Sequence, residues 1–260
     1  MDWVRDFYSR TGAWWEKADA RITDRDLRRV RLLREHGGER GRVLELGSGY
    51  GTTAVASAEA GYTVTAIEIS DRADQTARLA RDLPPGALTL HKQDFYEAEP
   101  DGRFDIVAYW NGFGIGFDAD QRRLLDRIAT RWLRPDGVAL IDVFNPFVWA
   151  GWDGDDEHLT PDPEAGYEHE LRERTRFDPV TCAAVDTWWD AAAPDQKITQ
   201  VLRCYTPADL ALLLTGTGLT LTGIVVGDRV LPPSPQPGLD GLLRDEHEYL
   251  AVVRPVTGAS

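Results

Sequence analysis

Two kinds of hydrophobic pattern follow one another along the chain. From Asp2 to His36 the apolar residues recur at helical spacing, which predicts helices with a break near Gly12. From Arg42 onward, short apolar runs alternate with amphipathic stretches, which is typical of a parallel sheet with right-handed crossovers. The runs predict strands at Val43–Leu46, Tyr62–Ile69, Ala87–His91, Phe104–Trp110 and Gly137–Phe144, and the stretches predict helices at Thr52–Ala60, Asp71–Leu83 and Asp120–Leu133.

The regular alternation stops after the fifth predicted strand. Three β-like stretches joined by turn residues then predict an antiparallel insertion, at Tyr167–Phe177, Cys182–Asp190 and Lys197–Tyr205. The pattern ends with a helix that begins at Thr206 and Pro207, a strand at Leu219–Val226, a surface connection at Leu231–Gly238 and a strand at Glu248–Val253. We therefore expect a helical cap at residues 1–40, an α/β core at 41–145 and 206–260, and a β insertion at 146–205.

Composition limits the kinds of molecule that the protein is expected to bind. The chain has 260 residues, a formal net charge of -14 and a pI of about 4.8, so it repels a nucleic-acid backbone, and no basic patch interrupts the acidic surface. A small-molecule partner is the default expectation. The N-terminus has no apolar stretch behind a basic start, and no segment approaches the roughly 18 apolar residues of a membrane span, so we expect a cytoplasmic protein without a membrane partner.

The strongest local motif is a glycine turn between a buried strand and a helix. Gly47, Gly49 and Gly51 follow Val43–Leu46 directly, so a ligand can approach the backbone closely and meet the free N–H groups of a helix start. The third glycine comes one position earlier than in the dinucleotide fingerprint G-x-G-x-x-G. The motif therefore predicts a nucleotide-like ligand but disfavours a pyrophosphate.

Acidic and aromatic residues follow the next two predicted strands. Glu68 ends the second strand, where its carboxylate can bind the two hydroxyls of a ribose. Asp94 and Phe95 follow the third strand, where a carboxylate can accept from an adenine amino group and a ring can cover the adenine face. Because open α/β sheets bind ligands at this edge, the three residues together predict a nucleoside site.

In this order the motifs resemble those of the class I S-adenosylmethionine-dependent methyltransferases, over the chain from about Arg42 to Arg254. The resemblance implies an α/β, Rossmann-like, seven-stranded and mostly parallel sheet with helices on both faces and an antiparallel last strand. It also implies that the insertion before the sixth strand covers the substrate. The motifs that carry it are Glu45-x-Gly47-x-Gly49-x-Gly51, Glu68, Gln93-Asp94-Phe95, Phe104-Asp105-Ile106-Val107 and Leu133-Arg134-Pro135-Asp136-Gly137.

The same resemblance implies S-adenosylmethionine as the cofactor. The glycine loop would cup the methionine and ribose part, Glu68 would bind the ribose hydroxyls, and Asp94 with Phe95 would hold the adenine. The expected cofactor-binding residues are Glu45, Gly47, Gly49, Gly51, Glu68, Ile69, Asp94, Phe95 and Trp110.

The methyl acceptor is expected beyond the fourth strand, where residues 109–117 form an apolar, glycine-rich loop. Asn111 in this loop is a candidate catalytic residue that would bind the acceptor or the amino-acid end of the cofactor, and the simpler interpretation is that it only fixes the turn. Trp110-Asn111-Gly112-Phe113 departs from the pattern of the methyltransferases that act on nucleobase amino groups, which argues against a nucleic-acid acceptor. The expected substrate residues are Trp14, Trp15, Asn111, Phe113, Phe144 and Asn145.

A histidine in the insertion is the second catalytic candidate. Period-two alternation in Tyr167–Phe177 places His169 on the face expected to point inward, so it is a candidate general base, with His158 as the second choice. The simpler interpretation is a surface or structural histidine. The five histidines are scattered along the chain and two cysteines, Cys182 and Cys204, are too few for a cysteine metal site, so we expect no metal.

The sequence thus predicts a methyltransferase that acts on a small organic metabolite at an N, O or C atom, as in natural-product biosynthesis, by metal-independent in-line transfer. Two alternatives stay open: a nicotinamide-dependent oxidoreductase, because Glu68 would suit any nucleotide ribose, and a binding or cyclase-like protein that retains the cofactor fold without methyl transfer. A homodimer is a further expectation.

Overall fold

The computed structural model describes residues 2–234 and 243–256. Its helices are α1 (Asp2–Asp19), α2 (Asp24–Gly37), α3 (Thr52–Glu59), α4 (Thr76–Leu79), α5 (Asp118–Arg127), α6 (Pro146–Gly151) and α7 (Pro207–Leu214). Its strands are β1 (Arg42–Leu46), β2 (Thr63–Glu68), β3 (Leu88–Lys92), β4 (Phe104–Phe113), β5 (Leu133–Phe144), β6 (Asp156–Leu159), β7 (Leu171–Asp178), β8 (Ala183–Asp190), β9 (Ile198–Arg203), β10 (Leu219–Val226), β11 (Arg229–Leu231) and β12 (Glu248–Pro255). The predicted connection Leu231–Gly238 lies outside the described residues after residue 234.

The main sheet has the strand order β11-β10-β12-β5-β4-β1-β2-β3 within the described residues. Strands β1 to β5 pair in parallel, and β12 runs antiparallel to both of its neighbours, β5 and β10. The α/β fold with an antiparallel last strand is therefore confirmed. One difference is β11, a three-residue edge strand that pairs with β10 and raises the expected seven strands to eight.

Helices cover both faces of this sheet. Leu32 and Leu33 of α2 pack with β1, β4 and β5 on one face, and Leu124 of α5 with Leu210 of α7 packs on the other. A Cβ atom at Gly37 would collide with Ile106 of β4, so α2 can approach the sheet only with glycine at this position. Helix α2, which we expected to belong to an N-terminal cap, is therefore part of the packed core.

The insertion forms a second sheet, with the antiparallel order β6-β7-β8-β9. The three predicted stretches are confirmed as strands, and β6 is an addition that the sequence did not indicate. Strand β7 begins at Leu171 rather than at Tyr167, because Tyr167 pairs with Asp162 in a separate turn. Arg203 donates its backbone N–H to the Gly114 carbonyl oxygen at 2.8 Å, which joins the second sheet to the loop after β4.

Helix α1 crosses between the two sheets. It runs unbroken through Gly12, so the predicted break there is wrong. Glycine is needed for packing instead, because a Cβ atom at this position would lie 2.8 Å from Cγ of Arg72. Arg72 also donates to the Tyr8 carbonyl oxygen at 3.0 Å, while the Tyr8 hydroxyl donates to Oε1 of Gln200 on β9 at 3.2 Å. These contacts tie α1 to the core on one side and to the insertion on the other.

Two other predicted helices differ in their detail. The stretch Asp71–Leu83 consists of two 3-10 turns, Asp71–Gln75 and Ala80–Asp82, on either side of the short α4. Helix α5 ends at Arg127 and continues as a π-helical turn, Ile128–Trp132, that leads directly into β5.

Candidate cofactor and acceptor cavity

A cavity of about 470 Å³ opens where the strand order reverses between β1 and β4. The carboxyl ends of β1, β2 and β4 form its floor, since the crevice at such a reversal is where open α/β sheets bind ligands. Residues of α1 and of the insertion strands β7, β8 and β9 close it from above. Its volume lies within the range of small-molecule sites, roughly 300–1,000 Å³.

The glycine loop after β1 lines this cavity. Gly47, Gly49 and Gly51 have φ angles of +59°, +57° and +79°, in the left-handed region that favours glycine. A Cβ atom at Gly49 would meet nothing within 4 Å, whereas one at Gly51 would collide with the Thr76 side chain. Gly49 is therefore the point at which a ligand can approach the backbone, and Gly51 instead allows the loop to pack against α4.

Glu68, at the end of β2, fixes the same loop. Its Oε1 accepts from the backbone N–H and the hydroxyl of Ser70, at 2.8 and 2.6 Å, and its Oε2 accepts from the Gly49 N–H at 2.8 Å. Because each carboxylate oxygen has two lone pairs, Oε2 retains one acceptor position beside the cavity. The side chain is 5% exposed, so Glu68 is a rigid, nearly buried acceptor.

Glu45 and Arg29 bring an acid and a base to another part of the cavity. Glu45 is 3% exposed and borders the cavity. Burial raises the pKa of Glu45 to about 8, although Arg29 acts in the opposite direction. Arg29 contacts Oγ1 of Thr53 at 3.3 Å and Oδ2 of Asp142 at 3.4 Å, and it lies over the Trp110 ring, 5.1 Å from the ring centre. The two groups can bind an ammonium group and a carboxylate, respectively.

Asp94 and Phe95 line the cavity after β3, as the sequence predicted. Oδ1 of Asp94 accepts from the Tyr96 N–H at 2.8 Å, which fixes the carboxylate. The Phe95 ring packs edge-on against Tyr109, with 5.6 Å between the ring centres. Ile69 and Trp110 also border the cavity.

Of the residues expected to contact the acceptor, the structure brings Trp15, Asn111 and Phe144 to the cavity. Asn111 is a non-glycine residue with a φ angle of +50°, a backbone conformation that costs free energy and that clusters at functional sites. Its backbone N–H donates to Oδ2 of Asp142 at 3.2 Å, which holds it in this conformation.

Five predicted site residues do not border the cavity among the described lining residues: Gly51, Trp14, Phe113, Asn145 and His169. Phe113 is fully buried against Tyr205, because β4 extends three residues beyond its predicted end and carries this ring into the core. Asn145 is also fully buried, where its Oδ1 caps α6 and its Nδ2 donates to the Glu246 carbonyl oxygen at 2.8 Å. Trp14 instead packs edge-on against Trp15.

His169 is displaced from the cavity because it precedes β7 instead of lying within it. Its Nδ1 is hydrogen-bonded with Oδ2 of Asp190 at 2.8 Å, and its side chain is 38% exposed. His158, the second choice, contacts Oε1 of Glu170 at 2.7 Å on the exposed side of the insertion. His247 does border the cavity, although the pattern of the sequence did not indicate it.

Several lining residues were missed by the sequence analysis. Glu173 lies between Leu171 and Thr175 on the inward face of β7, so the alternation of that strand was a signal for it. The other residues come together only through tertiary contacts. The missed residues include Tyr8, Asp19, Arg25, Arg29, Arg72, Glu173, Asp186, Gln200 and His247.

No group of three or more His, Cys, Asp or Glu side chains in residues 2–234 and 243–256 is arranged to hold a metal ion. No helix in the same ranges is long and apolar enough to cross a membrane.

A family model described as a methyltransferase domain matches residues 14–223, which includes the glycine loop, Glu68, Asp94 and most of the insertion. The chain belongs to this methyltransferase family. The match confirms the resemblance that the motifs indicated.

Relatives of this methyltransferase agree with the assignment. A cypemycin N-terminal methyltransferase from Streptomyces sp is 32% identical over 123 residues, which are 45% of this chain and 48% of that protein, so the chain spans about half the length of this curated relative. The CcbJ methyltransferase from Streptomyces caelestis has the same fold, with a TM-score of 0.72, 18% identity and 91% of both chains covered. A Burkholderia thailandensis 1,6-didemethyltoxoflavin-N1-methyltransferase, solved with 1,6-didemethyltoxoflavin and S-adenosylhomocysteine, also has this fold. Its TM-score is 0.58 and its identity 20%, and the match covers 98% of this chain and 86% of that chain.

Proposed function

We propose that this methyltransferase binds S-adenosylmethionine in the cavity and transfers its methyl group to a small organic metabolite. One observation carries the proposal. The left-handed glycine loop, open to the cavity at Gly49, lies beside the buried carboxylates of Glu45 and Glu68, and acceptor-side residues border the same cavity.

Each part of the cofactor has a matching group. The amino-acid end fits between Arg29 and Glu45, because the guanidinium pairs with a carboxylate and the Glu45 carboxylate pairs with an ammonium group. The ribose hydroxyls donate to the remaining acceptor position of Glu68. The adenine binds at Asp94 and Phe95, where the aromatic ring covers one face of the base.

When bound, S-adenosylmethionine supplies an electrophilic methyl group on a sulfonium centre. The protein must hold the acceptor atom about 3 Å from the methyl carbon and in line with the breaking bond, and this positioning is worth several orders of magnitude in rate. Trp15 and Phe144 form apolar walls for the acceptor, and α1 with the insertion sheet limits the access of water. Asn111 is proposed to position the acceptor through its side-chain amide, and His169 has no part in this scheme.

The substrate class follows from the cavity and the relatives. A volume of about 470 Å³ shared by cofactor and acceptor suits a metabolite or the end of a short chain. Two of the relatives are named for their acceptors, a cypemycin N-terminus and 1,6-didemethyltoxoflavin. Metal independence, a cytoplasmic location, the absence of a nucleic-acid partner and a homodimer stay predictions from the sequence.

Calorimetric titration with S-adenosylmethionine and S-adenosylhomocysteine tests the cofactor assignment. We expect micromolar binding that Glu68→Ala abolishes and that Glu59→Ala, an exposed glutamate on α3, leaves unchanged. Thermal unfolding of each variant without ligand separates loss of binding from loss of fold. Binding of a nicotinamide cofactor instead would favour the oxidoreductase alternative. Formation of S-adenosylhomocysteine with a suitable acceptor excludes a binding or cyclase-like protein.

A further inference from the structure

The insertion wall of the cavity is built around a buried carboxylate. Asp186 on β8 is 2% exposed and borders the cavity. Its Oδ2 accepts two hydrogen bonds of 2.7 Å, from Nε1 of Trp188 and from Nε2 of Gln200. Tyr8 of α1 donates to Gln200 in turn, so this side chain is held from both sides. The carboxylate is therefore fixed in orientation before any ligand binds.

The second oxygen of this carboxylate has only another carboxyl group beside it. Oδ1 of Asp186 is buried, and no N–H or hydroxyl group of the described residues donates to it. Its neighbour is Glu173 on β7, and burial together with a hydrogen bond to Asp186 raises the pKa of Glu173 to about 9. Glu173 therefore holds a proton in the empty protein and shares it with Asp186. A ligand cation would take the place of that proton between the two carboxyl groups.

The surroundings favour a cation over a neutral donor. Among its described lining residues, β7, β8 and β9 contribute Glu173, Asp186, Trp188, Gln200 and Leu202, and none of these is basic. Trp188 meets Trp15 edge-on, with 5.0 Å between the ring centres, so aromatic surface lies next to the carboxylates. Aromatic rings and a buried carboxylate together are the usual environment for an organic ammonium ion.

Arg72, a basic residue of the opposite wall, is already engaged. Arg72 donates to the Tyr8 carbonyl oxygen and to Oγ1 of Thr11, and it packs on the rings of Tyr8 and Tyr50. It forms no ion pair with Asp186 within the described residues. The negative charge of the insertion wall is therefore available to a ligand.

We infer that the methyl acceptor carries a positively charged amino group, which Asp186 and Glu173 bind beside the packed rings of Trp15 and Trp188. This inference rests on the proposed function, because it names the substrate class of the same cavity. It assigns the recognition of the acceptor and makes no claim about which of its atoms is methylated.

The test uses the full-length protein saturated with S-adenosylhomocysteine and a panel of matched triplets, in which one scaffold carries an amine, an alcohol or a carboxylate. Tryptamine, tryptophol and indole-3-propionate are one such triplet, and aliphatic and aminosugar scaffolds complete the panel. We expect the amine of at least one triplet to bind about tenfold or more tightly than its alcohol, and the carboxylate to bind more weakly still.

Asp186→Asn should remove the preference for the amine while the affinity for S-adenosylhomocysteine stays unchanged. Glu173→Gln should reduce the preference for the amine. The matched control is Asp156→Asn, which removes a negative charge from exposed strand β6 of the same sheet. Thermal unfolding reports whether each variant folds. Equal binding of amine and alcohol across the panel, failure of every amine to bind, or a preference that survives Asp186→Asn would overturn the inference. Failure of S-adenosylhomocysteine itself to bind would instead overturn the proposed function.

Discussion

Replacing Glu45 by Gln should make the empty protein more stable at alkaline pH. The pKa of Glu45 lies near 8, because burial disfavours its charged form. A carboxyl group with a raised pKa contributes stability that is complete below about pH 4.5 and is lost as the pH rises through 8. At about 1.4 kcal/mol per pKa unit, the wild type loses roughly 2 to 5 kcal/mol over this interval, the lower figure allowing for water in the cavity. The Glu45→Gln variant does not lose this stability, because glutamine does not ionise.

The same carboxyl group should release a proton when the cofactor binds. At pH 7 a group with a pKa of about 8 is about nine-tenths protonated, and pairing with the ammonium group of the cofactor requires its charged form. Binding of S-adenosylmethionine by the wild type should therefore release about one proton more than binding by Glu45→Gln, and the variant should bind more weakly.

Two assays measure these effects. Urea unfolding without ligand, at about pH 5 and about pH 8.5, gives the stability difference, and Glu59→Gln on the surface of α3 is the control. Calorimetry in buffers of different ionisation enthalpy gives the number of protons released on binding. Parallel loss of stability in wild type and Glu45→Gln, or equal proton release by both, would refute the account of Glu45 as a neutral buried acid that ionises for the cofactor.

Three further predictions concern the loop, the core and the insertion. Gly49→Ala should cost only about 1 to 2 kcal/mol of stability, because of its left-handed backbone, but it should weaken cofactor binding. Gly51→Ala should destabilise the fold more strongly, because its Cβ atom would collide with Thr76. Chemical unfolding measures the loss of stability and calorimetry measures the loss of binding. Asp26→Ala should cost about 3 kcal/mol or more of stability, because Asp26 is buried and accepts hydrogen bonds from Thr23, Thr52 and Thr53. Burial raises the pKa of Asp26, but these hydrogen bonds outweigh burial and the pKa is lowered overall. The stability difference from wild type, measured by urea unfolding, should therefore shrink as the pH falls below about 4. His169→Ala should keep kcat within about twofold of wild type in a methyl-transfer assay, since His169 pairs with Asp190 away from the cavity, and a loss of about a hundredfold would restore it as a general base.

The core could be predicted from the sequence because its signals are local. The apolar runs of β1 and β4 are buried on both faces, so they stand out from their neighbours without any knowledge of pairing. Gly47 and Gly49 mark the turn, because only glycine easily adopts the left-handed backbone that the turn requires. Glu68 and Asp94 follow their strands directly, and parallel strands bring such positions to one edge of the sheet.

The errors came from positions whose environment depends on exact element boundaries. A shift of four residues in the start of β7 removed His169 from the strand, so the alternation that seemed to point it inward did not apply. The extension of β4 carried Phe113 into the core in the same way. Asn145 reads as a substrate residue from its position after β5, but its partners come from the segment before β12, about a hundred residues later.

The sequence by itself determined the sheet, the glycine loop and the acidic strand ends, because periodicity and turn chemistry act between residues that are close along the chain. Only the tertiary structure decided which side chains face the cavity. Tyr8, Arg29 and Asp186 belong to three separate segments, and they meet because α1, α2 and the insertion sheet each bury an apolar face against different neighbours. That packing selects which polar side chains are left at the cavity, and no local pattern encodes it.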